Sequence, residues 1–102
     1  MDSKPKEIPV SQVWLITGSS RGLGRALAGA VLAAGHKLVA TARNPAQLGD
    51  LVQRYGDQVR AAALDVTDES AAGDAIKTAL EAFGRLDVLV NHAGFGASAR
   101  TF

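Results

Sequence analysis

The sequence predicts an α/β chain, a doubly wound parallel sheet with helices on both faces. Three observations carry this. Short apolar runs rich in β-formers alternate with segments of helical periodicity, the first run leads straight into a glycine-rich turn, and the helical segments are long enough to cross between parallel strands. Val13 to Thr17 (VWLIT) has no polar alternation, as a strand buried on both faces requires. From Leu23 the apolar positions fall at Leu23, Leu27, Val31 and Ala34, a helical stripe that stops at Gly35, a residue suited to the left-handed position after a helix. Leu38 to Ala42 reads as the second strand, Leu48, Leu51, Val52 and Tyr55 as the apolar face of a second helix, and Val59 to Leu64 as the third strand. Ala72, Ile76, Leu80 and Phe83 stripe a third helix. Asp68 and Glu69 open it, where negative charge meets the positive end of the helix dipole, and Gly84 closes it; Val88 to Val90 follow as a fourth strand.

Of the 102 residues, 47% are apolar and 21% charged, with three prolines, a balance that fits one compact domain and excludes disorder and collagen. Eleven Lys and Arg stand against ten acids, a net charge of +1, so neither nucleic acid nor a membrane surface is expected as a partner. The absence of cysteine excludes a disulfide framework and a thiolate metal site, and two histidines are too few for a metal cluster. Residues 1–12 mix Lys4, Pro5, Lys6, Glu7 and Pro9 and lack the apolar run of a signal peptide, and the strongly apolar stretches fall far short of the ~20 residues that span a bilayer. A cytoplasmic location is the resulting expectation. Residues 1–11 read as a flexible lead and 12–102 as part of a single domain.

The segment between the first strand and the first helix is Thr17-Gly18-Ser19-Ser20-Arg21-Gly22-Leu23-Gly24. Its glycines are spaced four and then two, unlike G-x-G-x-x-G, but the physics is shared. Glycines let the backbone turn tightly and approach a pyrophosphate with no Cβ in the way, while the free N–H groups and dipole of the helix N-terminus hold its charge. Ser19, Ser20 and Arg21 add donors. A glycine-rich turn alone is equally compatible with a plain βα connection.

Three further segments arrive in order: Ala42-Arg43-Asn44 closes the second strand, Leu64-Asp65-Val66-Thr67 the third, and Asn91-His92-Ala93-Gly94 the fourth. With T-G-x-x-x-G-x-G, this set resembles the short-chain dehydrogenase/reductase family over about residues 12–96. The resemblance implies a Rossmann-like sheet in the order 3-2-1-4, truncated after the fourth strand, as the N-terminal part of an NAD(P)-binding domain. It implies that Gly18, Ser19, Ser20, Arg21, Gly22, Leu23 and Gly24 lie at the pyrophosphate, that Asp65 and Val66 bracket the adenine, and that Asn91, Ala93 and Gly94 run past the ribose. His92 replaces the family's usual second Asn, which is expected to preserve the backbone path and change the local hydrogen bonding.

Cofactor choice is set at the end of the second strand, about 20 residues beyond the glycine turn, where an acid would bond the ribose hydroxyls of NAD. Ala42 stands there, followed by Arg43, and Arg21 projects toward the same region. Two guanidiniums can grip a 2′-phosphate, so NADP is expected rather than NAD. In the family, catalysis belongs to a Tyr and Lys spaced Y-x-x-x-K, with a Ser and an Asn. The only tyrosine here is Tyr55, expected in the core, and Val59 stands four residues later, so no catalytic residue is assigned. Ser98, Arg100 and Thr101 lie where the family begins its substrate pocket, with no partner to activate them. His36 reads as a solvent-exposed turn residue.

The implied function is the NADP-binding portion of an oxidoreductase that transfers hydride between NADP(H) and a small carbonyl or alcohol, these 102 residues being inactive alone. The other class of reading is a non-catalytic nucleotide-binding module, or a remnant that pairs with another polypeptide. In either case the outer edge of the fourth strand and much of one sheet face are expected to be open, offering a surface for self-association.

Overall fold

The computed structural model describes the backbone of residues 11–19, 22–64, 69–91 and 98–101. Its elements are β1 (Val13–Ile16), α1 (Gly22–Ala33), β2 (Lys37–Ala42), α2 (Gly49–Tyr55), β3 (Val59–Ala63), α3 (Glu69–Phe83), β4 (Val88–Asn91) and β5 (Ser98–Thr101). A 3-10 turn over Pro45–Leu48 leads into α2. β1 pairs in parallel with β2 on one side and β4 on the other, and β2 pairs in parallel with β3, giving the order 3-2-1-4 that the sequence predicts.

The lack of alternation in β1 follows from helices on both faces. Ile16, Leu38, Ala40 and Ala42 pack with Ala28, Val31 and Leu32 of α1 and with Leu48 and Leu51, whereas Val13, Leu15 and Val39 pack with Ala75 and Ala79 of α3. Each fully buried side chain of Val or Leu size contributes about 1.5–3 kcal/mol, so these two layers dominate stability. Both helix stripes hold in part: Val31 and Leu27 of α1 and Ile76 and Phe83 of α3 pack in or against the core as expected, the Ala72 side chain lies outside the described residues, and the remaining positions are corrected. In α1 the buried residues are Gly24, Ala28, Val31 and Leu32, while Leu27 is half-buried and Leu23 is 64% exposed. In α3 the buried contacts are Ala75 and Ala79, and Leu80 is exposed. The physical reason is close packing: small residues let a helix approach the sheet, so the small residues mark the inner faces and the larger ones flank them. Val52 of α2 is likewise exposed, and Tyr55 is half-buried against the core, with the Arg54 guanidinium 5.5 Å from its ring centre.

One turn assignment and one edge assignment also change. His36 is half-buried, its Nδ1 accepting the Gln12 N–H at 3.0 Å and its ring beside Trp14. Gln58 reaches back to donate from Nε2 to the carbonyls of Leu32 and His36, satisfying the C-terminal end of α1. The expected open edge of β4 is closed by β5, which pairs antiparallel with Leu89 opposite Arg100 and Asn91 opposite Ser98. A parallel return would need a crossover of about a dozen residues or more; only residues 92–97 intervene, so the chain can pair there only by turning back. Arg25 and Asp50 form an ion pair that ties α1 to α2. Among the described residues no helix is long and apolar enough to cross a membrane, and no cluster of three metal-ligating side chains exists.

Candidate functional site

The carboxyl ends of β1, β2 and β4 come together where the sheet order reverses, the position at which open α/β sheets bind ligands. β1 runs into Gly18, in the left-handed region at φ 68°, and α1 begins at Gly22, left-handed at φ 65°. Any residue with a Cβ is strained in that conformation. Between β1 and β2 lies a buried set of hydrogen bonds that the sequence reading did not identify. The Ser19 N–H donates to the Thr41 carbonyl at 2.8 Å, and the Gly18 N–H donates to Thr41 Oγ1 at 3.2 Å. Ser19 Oγ accepts the Thr41 N–H at 3.3 Å, and both hydroxyls donate to the Ile16 carbonyl, Ser19 at 2.6 Å and Thr41 at 3.1 Å. One signal was legible: a lone threonine in the run Leu38-Val39-Ala40-Thr41-Ala42 is a polar group facing burial and must find partners.

This network corrects the role given to Ser19. Its side chain is fully buried and its proton is on the Ile16 carbonyl, so its hydroxyl braces the turn and offers nothing to a ligand. The N–H groups of Gly18 and Ser19 are committed to Thr41 as well. Among the described residues, the backbone donors left at this end are those of the first turn of α1, Gly22, Leu23 and Gly24, which by helix geometry lack intrahelical partners. Across the crevice, Thr17 Oγ1 donates to Asn91 Oδ1 at 3.0 Å, placing the exposed Asn91 at the end of β4.

At the end of β2 the Ala42 methyl is buried in the core, and Arg43 is the first exposed side chain. Among the described residues Arg43 has no hydrogen-bond or ion-pair partner, unlike Arg25 with Asp50 and Arg85 with Asp87. Asn44 caps the following turn by accepting the Ala46 N–H, which fixes the path just beyond Arg43. Ser20, Arg21, Asp65, Val66, His92, Ala93 and Gly94 lie outside the described residues. Two carboxylates elsewhere have shifted acidity. The Arg25 guanidinium holds Asp50 below its ordinary value, and the Val13 N–H, followed by Arg85, does the same for Asp87.

A family model described as short chain dehydrogenase matches residues 12–102. The chain belongs to the short-chain dehydrogenases. It is 48% identical over 91 residues to an oxidoreductase of Botryotinia fuckeliana, covering 88% of this chain and 33% of that protein, so it spans about a third of that relative's length. A short-chain dehydrogenase from Streptomyces avermitilis superposes with a TM-score of 0.78 at 47% identity, over 83% of this chain and 31% of that one. A 3-ketoacyl-(acyl-carrier-protein) reductase from Brucella melitensis, solved with NADH, gives 0.70 at 33% identity over 76% and 32%. The C-domain of a bacterial malonyl-CoA reductase, solved with NADP, gives 0.77 at 32% identity over 82% and 15%.

Short-chain dehydrogenases bind nicotinamide dinucleotides, and the described residues fit such a group. Two left-handed glycines flank the turn, the N–H groups of the first turn of α1 point to the crevice end, and none of Thr17–Ser19, Thr41–Arg43 or Asn91 carries a negative charge that would repel a phosphate.

Proposed function

We propose that this chain is the NADP-binding portion of an oxidoreductase acting on a small carbonyl or alcohol. The observation that carries the choice of NADP is the end of β2: a buried methyl at Ala42 where an acid would serve the ribose hydroxyls of NAD, then Arg43, exposed and without a partner among the described residues. When bound, the dinucleotide supplies or accepts the hydride. The residues of this chain bind and orient it. Gly22, Leu23 and Gly24 offer N–H groups to the pyrophosphate, with Gly18 and Ser19 shaping the turn and Ser20 adding donors. Arg43 and Arg21 face the 2′-phosphate, Asp65 and Val66 bracket the adenine, and Asn91, Ala93 and Gly94 line the ribose side. Leu23, 64% exposed on the first turn of α1, gives the crevice an apolar lip. These 102 residues hold no Y-x-x-x-K pair to supply the proton that carbonyl reduction needs. The cytoplasm, where NADPH is available, is the proposed location.

The alternative of a module that pairs with a second polypeptide through the β4 edge is disfavoured because β5 already fills that edge. Calorimetric titration of the chain with NADPH and NADH tests the reading. Arg43 sits in solvent and salt, so the lower end of the range for charge-assisted bonds applies, and Arg43→Ala is expected to weaken NADPH about tenfold and leave NADH unchanged. Equal losses for both cofactors, or a wild-type preference for NADH, would falsify the assignment of NADP.

A further inference from the structure

We infer that Thr41 is a positioning residue for dinucleotide binding, its backbone and hydroxyl locking the Gly18–Ser19 turn to β2 so that the amides of α1 and the Arg43 side chain stand at a fixed separation. The inference rests on the nucleotide reading above. Thr41 is fully buried, and every polar atom it owns is engaged: N–H with Ser19 Oγ, carbonyl with the Ser19 N–H, and hydroxyl with both the Gly18 N–H and the Ile16 carbonyl. The partners are Ile16 at the end of β1 and Gly18 and Ser19, which open the glycine turn, and Arg43 lies two residues beyond Thr41 at the same strand end. A satisfied network of this kind admits one arrangement, because any slip strands a buried donor or acceptor.

The consequence is specific to ligands that touch both places. A dinucleotide carrying a 2′-phosphate bridges the first turn of α1 and Arg43, and its affinity depends on the two being held in register, as in any two-point attachment. Adenosine, which carries no phosphate and so reaches neither guanidinium nor the amides of α1, does not sense their separation. Thr41→Val keeps the volume and the backbone bonds but removes the hydroxyl, leaving the Gly18 N–H without an acceptor, whereas Thr41→Ser restores the hydroxyl.

The test is calorimetric titration of wild type, Thr41→Val and Thr41→Ser with NADPH and with adenosine. NADPH is expected to bind Thr41→Val about tenfold more weakly, with adenosine unchanged and Thr41→Ser restoring NADPH to within about twofold of wild type. A merely structural threonine would weaken both ligands together, and that result overturns the inference. Unchanged NADPH affinity in a folded Thr41→Val also overturns it while leaving the nucleotide reading intact. A folded wild-type chain that binds neither NADPH nor NADH overturns the nucleotide reading itself, and the role of Thr41 falls with it. Should Thr41→Val fail to fold, Ser19→Ala removes the acceptor of the Thr41 N–H on the other side of the same network. It must then show the same selective loss of NADPH; equal or absent losses overturn the inference.

Discussion

Asp87 shows how much of a strand pairing can depend on one side chain. Its Oδ2 accepts the Val13 N–H at 2.8 Å, its own N–H donates to the Val13 carbonyl at 2.9 Å, and its Oδ1 takes Arg85 Nη2 at 2.6 Å. The start of β1 is thereby fixed beside the start of β4. These bonds favour the ionised carboxylate and hold its pKa below the ordinary 3.8, the Val13 N–H contributing most. A carboxyl with a lowered folded-state pKa contributes stability that is fully present above its unfolded value and is lost as pH falls through the folded one. In Asp87→Asn the amide oxygen can still accept the Val13 N–H, but the charge is gone. The stability difference between wild type and Asp87→Asn, read from urea melts, is therefore expected to be constant from about pH 7 to 5 and to shrink toward zero below about pH 4. A difference that grows in acid contradicts the assignment.

At the scale of elements, the glycines of the two long helices divide into those the backbone requires and those it does not. Gly35 ends α1 at φ 91°, where any Cβ is strained even though nothing lies within 4 Å of it. Gly29, inside α1, has helical backbone and equally open space. The same substitution therefore has opposite signs. Gly35→Ala is expected to destabilise the chain by about 1–2 kcal/mol, and Gly29→Ala to stabilise it by about 0.5–1 kcal/mol through helix propensity. Denaturant melts of the two variants against wild type measure both, and equal signs would show that the helix end is not held as described.

For the molecule as a whole, one flank of the sheet is thinly covered by the described residues. α1 and α2 cover one face and α3 lies over β1, β2 and β3 on the other, where Leu89 of β4 is half-buried and Leu80 is 50% exposed. Purified chain is accordingly expected to bind a hydrophobic-surface dye and to self-associate with rising concentration; a monomer that binds no dye at any concentration contradicts this. It is also expected to give no NADPH oxidation with any carbonyl, because general acid catalysis is worth about 10²–10⁴ in rate and the sequence holds no Y-x-x-x-K pair to supply it. Turnover abolished by a single substitution within residues 1–102 would refute that expectation.

The sequence by itself determined the elements through β4, which rest on apolar period and glycine spacing, and its four segments in a fixed order carried the resemblance that implied the family and the pairing 3-2-1-4. It also located the crevice end by Gly18, Gly22 and Arg43, whose types are set locally, by backbone conformation and by charge. What only the tertiary structure decided were the relations between elements. Which helix residues face the sheet turned on how closely a helix could approach, which favoured Gly24, Ala28, Ala75 and Ala79 over the larger residues that define a stripe. The fate of the β4 edge turned on the short return through residues 92–97. The task of Ser19 was fixed by Thr41, 22 residues away, since a buried hydroxyl takes whatever partner the fold brings to it, and periodicity carries no record of that meeting.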